Sequence, residues 1–79
     1  MGILEKLKEI FININPDTEV DMNSITEESS ILEDLGLNSI GVLYLVLAIE
    51  EEFSIVMHNS SIENFKTLGD VISYIKENT

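Results

Sequence analysis

Apolar residues recur at helical spacing from the start of the chain. Ile3, Leu4, Leu7, Ile10, Phe11 and Ile14 fall on one side, with Glu5, Lys6, Lys8 and Glu9 on the other. This pattern predicts an amphipathic helix of about four turns. Asn15-Pro16-Asp17 ends it, because the residue before a proline avoids the helical region. The next apolar stretch, Ile40 to Ile49, is different in kind. Val42, Leu43, Val46, Ile49 and Phe53 form one stripe, suited to the core, while Ile40, Tyr44 and Leu47 form a second that closes on Glu51. A helix is expected from Ser39 to Phe53, too short to span a bilayer, which takes about 20 apolar residues. A helix apolar on more than one face is either surrounded or touches a partner. The long connection before it could cover the second stripe, or a partner could.

That connection, Asn15 to Asn38, holds enough apolar anchors (Val20, Met22, Ile25, Ile31, Leu32, Leu35) to be an ordered loop, with a turn of helix expected near Ser30–Leu35. Beyond the second helix, Ser54–Met57 reads as a short extended piece and His58–Ser61 as a turn cluster. Ser61 is placed to cap a short helical turn, Ile62–Phe65. Thr67-Leu68-Gly69-Asp70 resembles a capping box with Asp for Glu. It opens a last helix with Leu68, Val71, Ile72 and Ile75 inward and Lys76 near the negative end of the dipole. No strand or repeat is expected. The chain reads as an all-α single domain, residues 1–79, with three main helices and a short one before the last. A core of this size supplies only about 3–5 kcal/mol.

Charge narrows the choice of partner. Fifteen acids face four lysines, for a net charge of −11, and every charged residue between Lys8 and Lys66 is acidic. Such a surface repels nucleic acid and anionic membranes, both of which are held through Lys and Arg. It attracts basic protein surfaces. Without cysteine there is no disulfide or thiolate metal site to propose. The first residues lack the apolar segment of a signal peptide, and Lys6 stands where a myristoylation signal wants Ser or Thr. A monomeric cytoplasmic protein without membrane insertion is expected.

Candidate chemistry is sparse. The single histidine, His58, sits in a polar turn, and a Ser-His-Asp relay needs its base held by an acid and touching the serine. The carboxylates form surface runs rather than a tuned pair in an apolar pocket. Asp17, Glu19, Asp21, Asn23 and Glu28 follow the spacing of a calcium loop, but Met22 stands where its sharp turn needs glycine. These acids could gather divalent cations only weakly, and no metal site is expected. Asn38 and Ser39 both favour helix N-caps. From the residues alone, Ser39 is either a plain cap or a hydroxyl placed for use. Gly41 leaves room beside it.

The stretch Leu35-Gly36-Leu37-Asn38-Ser39-Ile40, followed by Leu45-Val46-Leu47-Ala48-Ile49-Glu50-Glu51-Glu52-Phe53, resembles the signature of acyl carrier proteins. The acidic composition, amphipathic first helix, long first loop and closing helix extend the resemblance over nearly the whole chain. It implies a small four-helix bundle of acyl-carrier type. It also implies that Ser39 is esterified with 4′-phosphopantetheine, taken from coenzyme A by a separate phosphopantetheinyl transferase. The chain would then be a carrier and not an enzyme, bearing acyl groups as thioesters. Its partners would be acyl-transferring and ketosynthase-type enzymes with basic docking surfaces, in fatty acid, polyketide or related biosynthesis. An aminoacyl or peptidyl carrier and an unmodified acidic adaptor are the alternatives, and the Glu50–Phe53 close favours acyl cargo. Asn38, Ile40, Gly41, Tyr44, Leu47 and Glu51 form the expected partner face. Three positions depart from the family pattern. Asn38 replaces the usual Asp, Gly41 and Tyr44 stand where acids are common, and Leu37 is bulkier than usual. These departures point to a dedicated partner set.

Overall fold

In the computed structural model, which describes residues 2–79, the elements run α1 (Ile3–Ile14), a 3₁₀ turn (Met22–Ser24), α2 (Ser39–Phe53), α3 (Asn59–Ile62) and α4 (Leu68–Asn78). No strand forms among the described residues; one isolated antiparallel bridge joins Ser30 and Thr67. The expected all-α bundle is therefore present: α2 has the expected bounds, α1 spans the expected apolar stripe and α4 starts where expected.

The α1 stripe delivers Leu7, Ile10 and Phe11 to the core, and α4 delivers Leu68, Val71, Ile72 and Ile75. From α2 come Leu45, Val46 and Ile49. The expectation for Leu43 fails: it is exposed, and Leu45 takes the core position. Because α2 is apolar all round, periodicity cannot choose its inner face. The choice falls to packing: α2 lies against α1, and Leu45, Val46 and Ile49 are buried in the core shared by the helices and the long connection. The Lys6–Glu52 ion pair also joins α1 to α2, at 3.7 Å. Such exposed pairs contribute about 1 kcal/mol at most, so the apolar contact dominates.

Six of the sixteen buried apolar residues lie outside the helices: Ile25, Ile31, Leu35, Leu37, Ile55 and Met57. The long connection is therefore part of the core. Its backbone is tied to the start of α4 by Ile31 N–H to Lys66 O (3.0 Å), Leu68 N–H to Ser29 O (3.1 Å) and Gly69 N–H to Glu27 O (2.7 Å). Gly69 is required by this approach, because a Cβ there would lie 3.0 Å from the Glu27 carbonyl oxygen. The expected turn of helix at Ser30–Leu35 is present as a single turn, closed by Asp34 N–H to Ser30 O (3.0 Å), and does not continue into a helix. Asp34 accepts from the Ser30 amide and the Ser30 hydroxyl accepts from the Glu33 amide. The chain then turns at Gly36, whose φ of 68° favours glycine.

Two further details differ from expectation. The short helix α3 starts at Asn59 with His58 at its N-cap and no side-chain cap, so Ser61 lies inside it rather than before it. Backbone amides of Ser61 and Ile62 close on the His58 carbonyl, which starts the helix without help from a hydroxyl. The Ser54–Met57 piece begins with Ser54 in the left-handed conformation (φ 54°), closing α2. It is then held by the Glu50 carboxylate accepting from Met57 N–H (2.9 Å) and by Tyr74 donating to Val56 O (2.8 Å). The Thr67–Asp70 capping box forms as expected.

Candidate functional site

Ser39 is the first residue of α2, and its position depends on the residue before it. Asn38, in an extended conformation, is the N-cap, and its Oδ1 accepts from Gly41 N–H at 2.8 Å. The first intrahelical bond runs from Val42 N–H to Asn38 O at 2.9 Å. These two bonds leave the Ser39 and Ile40 amides free at the positive end of the helix dipole. Ser39 is thus released from capping. Its side chain is exposed, and its hydroxyl forms no hydrogen bond among the described residues.

Gly41 makes room for Leu37 rather than for Ser39. A Cβ at position 41 would meet Leu37 Cδ2 at 3.1 Å, and Leu37 is buried. The bulky residue before the serine and the glycine after it are therefore one packing solution. It anchors the turn that presents Ser39.

Beside Ser39 opens a cleft of about 400 Å³. Ile31, Leu32, Val42, Leu43, Ile62 and Phe65 line it, with Glu63 as its charged member. Phe65 is set edge-on against Tyr74, ring centres 5.7 Å apart, which fixes one wall. His58 does not line this cleft, so no serine–histidine pair forms there. The acids of the Asp17–Glu28 loop do not converge either. No group of three or more His, Cys, Asp or Glu side chains able to hold a metal exists among the described residues.

The remaining residues of the expected partner face separate into two groups. Asn38 and Gly41 serve the cap and the packing under the serine. Ile40 (62% exposed), Tyr44 (59%) and Leu47 (58%) stand outward along α2 with Leu43 (55%), and Glu51 continues that face. The long connection does not cover this second stripe. Leu43, expected in the core, and Leu32, expected as a packed anchor of the connection, are instead exposed and line the cleft, and Val56 (67% exposed) beyond α2 was given no site role by the sequence. Leu43 was hidden by the all-round apolarity of α2. Val56 lies outside any helix, so no periodicity marks it.

A family profile described as "Phosphopantetheine attachment site" matches residues 5–75. The acyl carrier protein of Clostridium perfringens is 40% identical over 77 residues, covering 98% of this chain and 97% of that protein. The acyl carrier protein of Wolinella succinogenes is 38% identical over 81 residues, covering 99% of each. The solved structure of the acyl carrier protein from Enterococcus faecalis superposes with a TM-score of 0.75 at 28% identity, over the whole of both chains. By this profile, these relatives and its helical bundle, the chain belongs to the acyl carrier protein family of phosphopantetheine-bearing carriers, and the family's role is carriage rather than catalysis.

Proposed function

We propose that Ser39 is the attachment point for 4′-phosphopantetheine and that the chain presents acyl thioesters to partner enzymes from this position. The observation that carries the reading is the exposed, unbonded hydroxyl of Ser39 at the first position of α2. The residues fit a phosphate ester. Asn38 takes the Gly41 amide, so the Ser39 and Ile40 amides remain free to face an anion, and the helix dipole favours negative charge there. The arm supplies the thiol, which accounts for a carrier without cysteine. No base beside Ser39 is needed when a separate transferase activates the hydroxyl.

The apolar cleft at Ser39 supports acyl rather than aminoacyl cargo. Its walls are aliphatic and aromatic, and Glu63 is the single charged group at its edge. An apolar chain entering it gains about 25 cal/mol for each Å² withdrawn from water, whereas an amino group would lose hydration there. The partners are a phosphopantetheinyl transferase and acyl-transferring or ketosynthase-type enzymes with basic surfaces, in the cytoplasm. Tethering raises the local concentration of the acyl group at each of them. Tyr44 and Leu47 make the partner face apolar, which supports a dedicated partner set.

The test is direct. The protein is incubated with coenzyme A, magnesium and a broad-specificity transferase, and its intact mass is measured. The wild type gains one phosphopantetheine and Ser39→Ala gains none, while the circular dichroism of the two is the same. No gain in the wild type, or an equal gain in Ser39→Ala, overturns the reading.

A further inference from the structure

The cleft beside Ser39 has walls of two kinds. Ser39, Val42 and Leu43 belong to α2, whereas Ile31 and Leu32 come from the long connection, and Ile62, Glu63 and Phe65 from the end of α3 and the residues after it. The last two groups are tied to each other. Gly69 N–H to Glu27 O, Leu68 N–H to Ser29 O and Ile31 N–H to Lys66 O form a short antiparallel ladder that runs up to the cleft. Leu32 follows the ladder on one side and Phe65 precedes it on the other. The connection is stiffened further along, where buried Ser29 accepts from Thr26 N–H through its hydroxyl (2.9 Å) and donates its own amide to Thr26 O (3.1 Å). By contrast, no hydrogen bond among the described residues joins α2 to the ladder. The cleft therefore lies along a seam between α2 and the ladder that has no directional bonds. Gly69 closes the ladder at its tightest point. A Cβ there would lie 3.0 Å from the Glu27 carbonyl oxygen and 3.7 Å from its carbon, and backbone cannot swing aside as a side-chain tip can. Position 69 is also the second residue of α4, where alanine would otherwise suit the helix better.

We propose that this ladder positions the cargo wall of the cleft, with Gly69 as the residue that sets its closure. It holds the connection and the α3–α4 junction together as one body, so an acyl chain is sheltered against α2 only while the ladder is closed. The proposal rests on the carrier reading of Ser39. Gly69 touches no cargo and acts through Ile31, Leu32 and Phe65, which the ladder holds in place. The physical content is a coupling between two events, closure of the ladder and burial of the chain. Closure favours burial, and burial must favour closure by the same factor. An acetyl group has little apolar area to bury and gains little from the cleft, whereas an octanoyl chain gains with every Å² withdrawn from water. The coupling is therefore a property of long cargo and is absent with short cargo.

Octanoyl and acetyl forms are prepared by the transferase from octanoyl- and acetyl-coenzyme A, in the wild type and in Gly69→Ala. Hydroxylamine cleaves both thioesters, and the rate reports how exposed each one is. In Gly69→Ala, octanoyl cleavage rises about three- to tenfold, as expected for the loss of one backbone hydrogen bond, while acetyl cleavage is unchanged. Amide hydrogen exchange reads the ladder directly. Before any loading, Gly69→Ala speeds exchange at Ile31 and Leu68. In the wild type, octanoyl slows exchange at Ile31, Leu68 and Gly69 relative to acetyl by a similar factor, with the α1 amides as reference. Ile10→Val, a core change in α1 away from the ladder, separates positioning from stability. It lowers the denaturant midpoint and leaves the ratio of octanoyl to acetyl cleavage alone. The same ratio in wild type and Gly69→Ala, or a ratio that Ile10→Val moves as far, overturns the proposal and leaves the carrier reading standing. Wild-type ladder amides that exchange alike in the octanoyl and acetyl forms do so too, without recourse to any variant. A wild type whose Ser39 is never loaded overturns the carrier reading itself, and the coupling falls with it.

Discussion

Leu37 and Gly41 occupy one space, and neither is explained without the other. Leu37 fills the core under the turn that presents Ser39, and its Cδ2 lies where a Cβ at position 41 would crowd it, at 3.1 Å. Alanine is worth up to about 1 kcal/mol over glycine inside a helix, and less in the first turn. Gly41→Ala in the wild type should therefore gain little or lose stability. In a Leu37→Val background, which removes the crowding tip, the same change should be more favourable by roughly 0.5 kcal/mol or more. Denaturant midpoints of the four proteins measure this coupling, and an additive result would refute it. The sequence marked both residues as departures from the family pattern, but the contact between them belongs to the fold. Asn38 is likewise visible as a capping residue, yet either it or Ser39 could cap. The backbone decides, placing Asn38 outside the helix and Ser39 at its first position, which leaves the hydroxyl free.

At the scale of elements, α4 owes its sharp start to Asp70. The carboxylate accepts from the backbone N–H of Lys66 (2.9 Å) and Thr67 (3.1 Å), and these bonds hold its pKa below the ordinary 3.8. Since the folded pKa is the lower one, the stabilisation is complete well above 3.8 and is lost as pH falls through the folded value. Asp70 is exposed, so solvent screens the effect and keeps it modest. The difference in denaturant midpoint between wild type and Asp70→Asn should be full near about pH 6 and shrink once the carboxylate protonates. A difference independent of pH would count against this role. The capping box was legible as Thr67-x-x-Asp70, because it is local in sequence. Its second task was not. The segment it caps also receives the long connection, through Ile31, Ser29 and Glu27, and those partners lie more than 30 residues away in the chain. The short helix α3 was misplaced for a related reason. Its hydrogen bonds start at a backbone carbonyl, that of His58, and leave no side-chain signature.

The whole molecule measures 30 × 28 × 21 Å. A helix with its side chains is about 10–12 Å across, so the thinnest dimension holds two layers and every helix keeps an outer face. This is why α2, apolar all round, shows Ile40, Leu43, Tyr44 and Leu47 to solvent. Around these residues lies a strongly acidic surface, with a net charge of −11. Approach to a basic partner should be steered over distances comparable to the Debye length, about 8 Å at physiological salt. The rate of Ser39 loading at low carrier concentration should therefore fall as salt rises from about 0.05 to about 0.5 M, with the maximal rate less affected. A rate unchanged by salt would shift the weight of recognition to the apolar face.

The sequence by itself determined the three main helices, the acidic character and the serine at the start of α2, because each follows from local spacing, local capping or composition. It also carried enough of the family signature to imply the phosphopantetheine arm. Only the tertiary structure decided which side of α2 is buried, since periodicity is silent on a helix with no polar face. It likewise decided that the long connection joins the core instead of covering α2, and that Leu37 packs into the space left by Gly41. These outcomes depend on contacts between residues distant in the chain, and no local pattern records them.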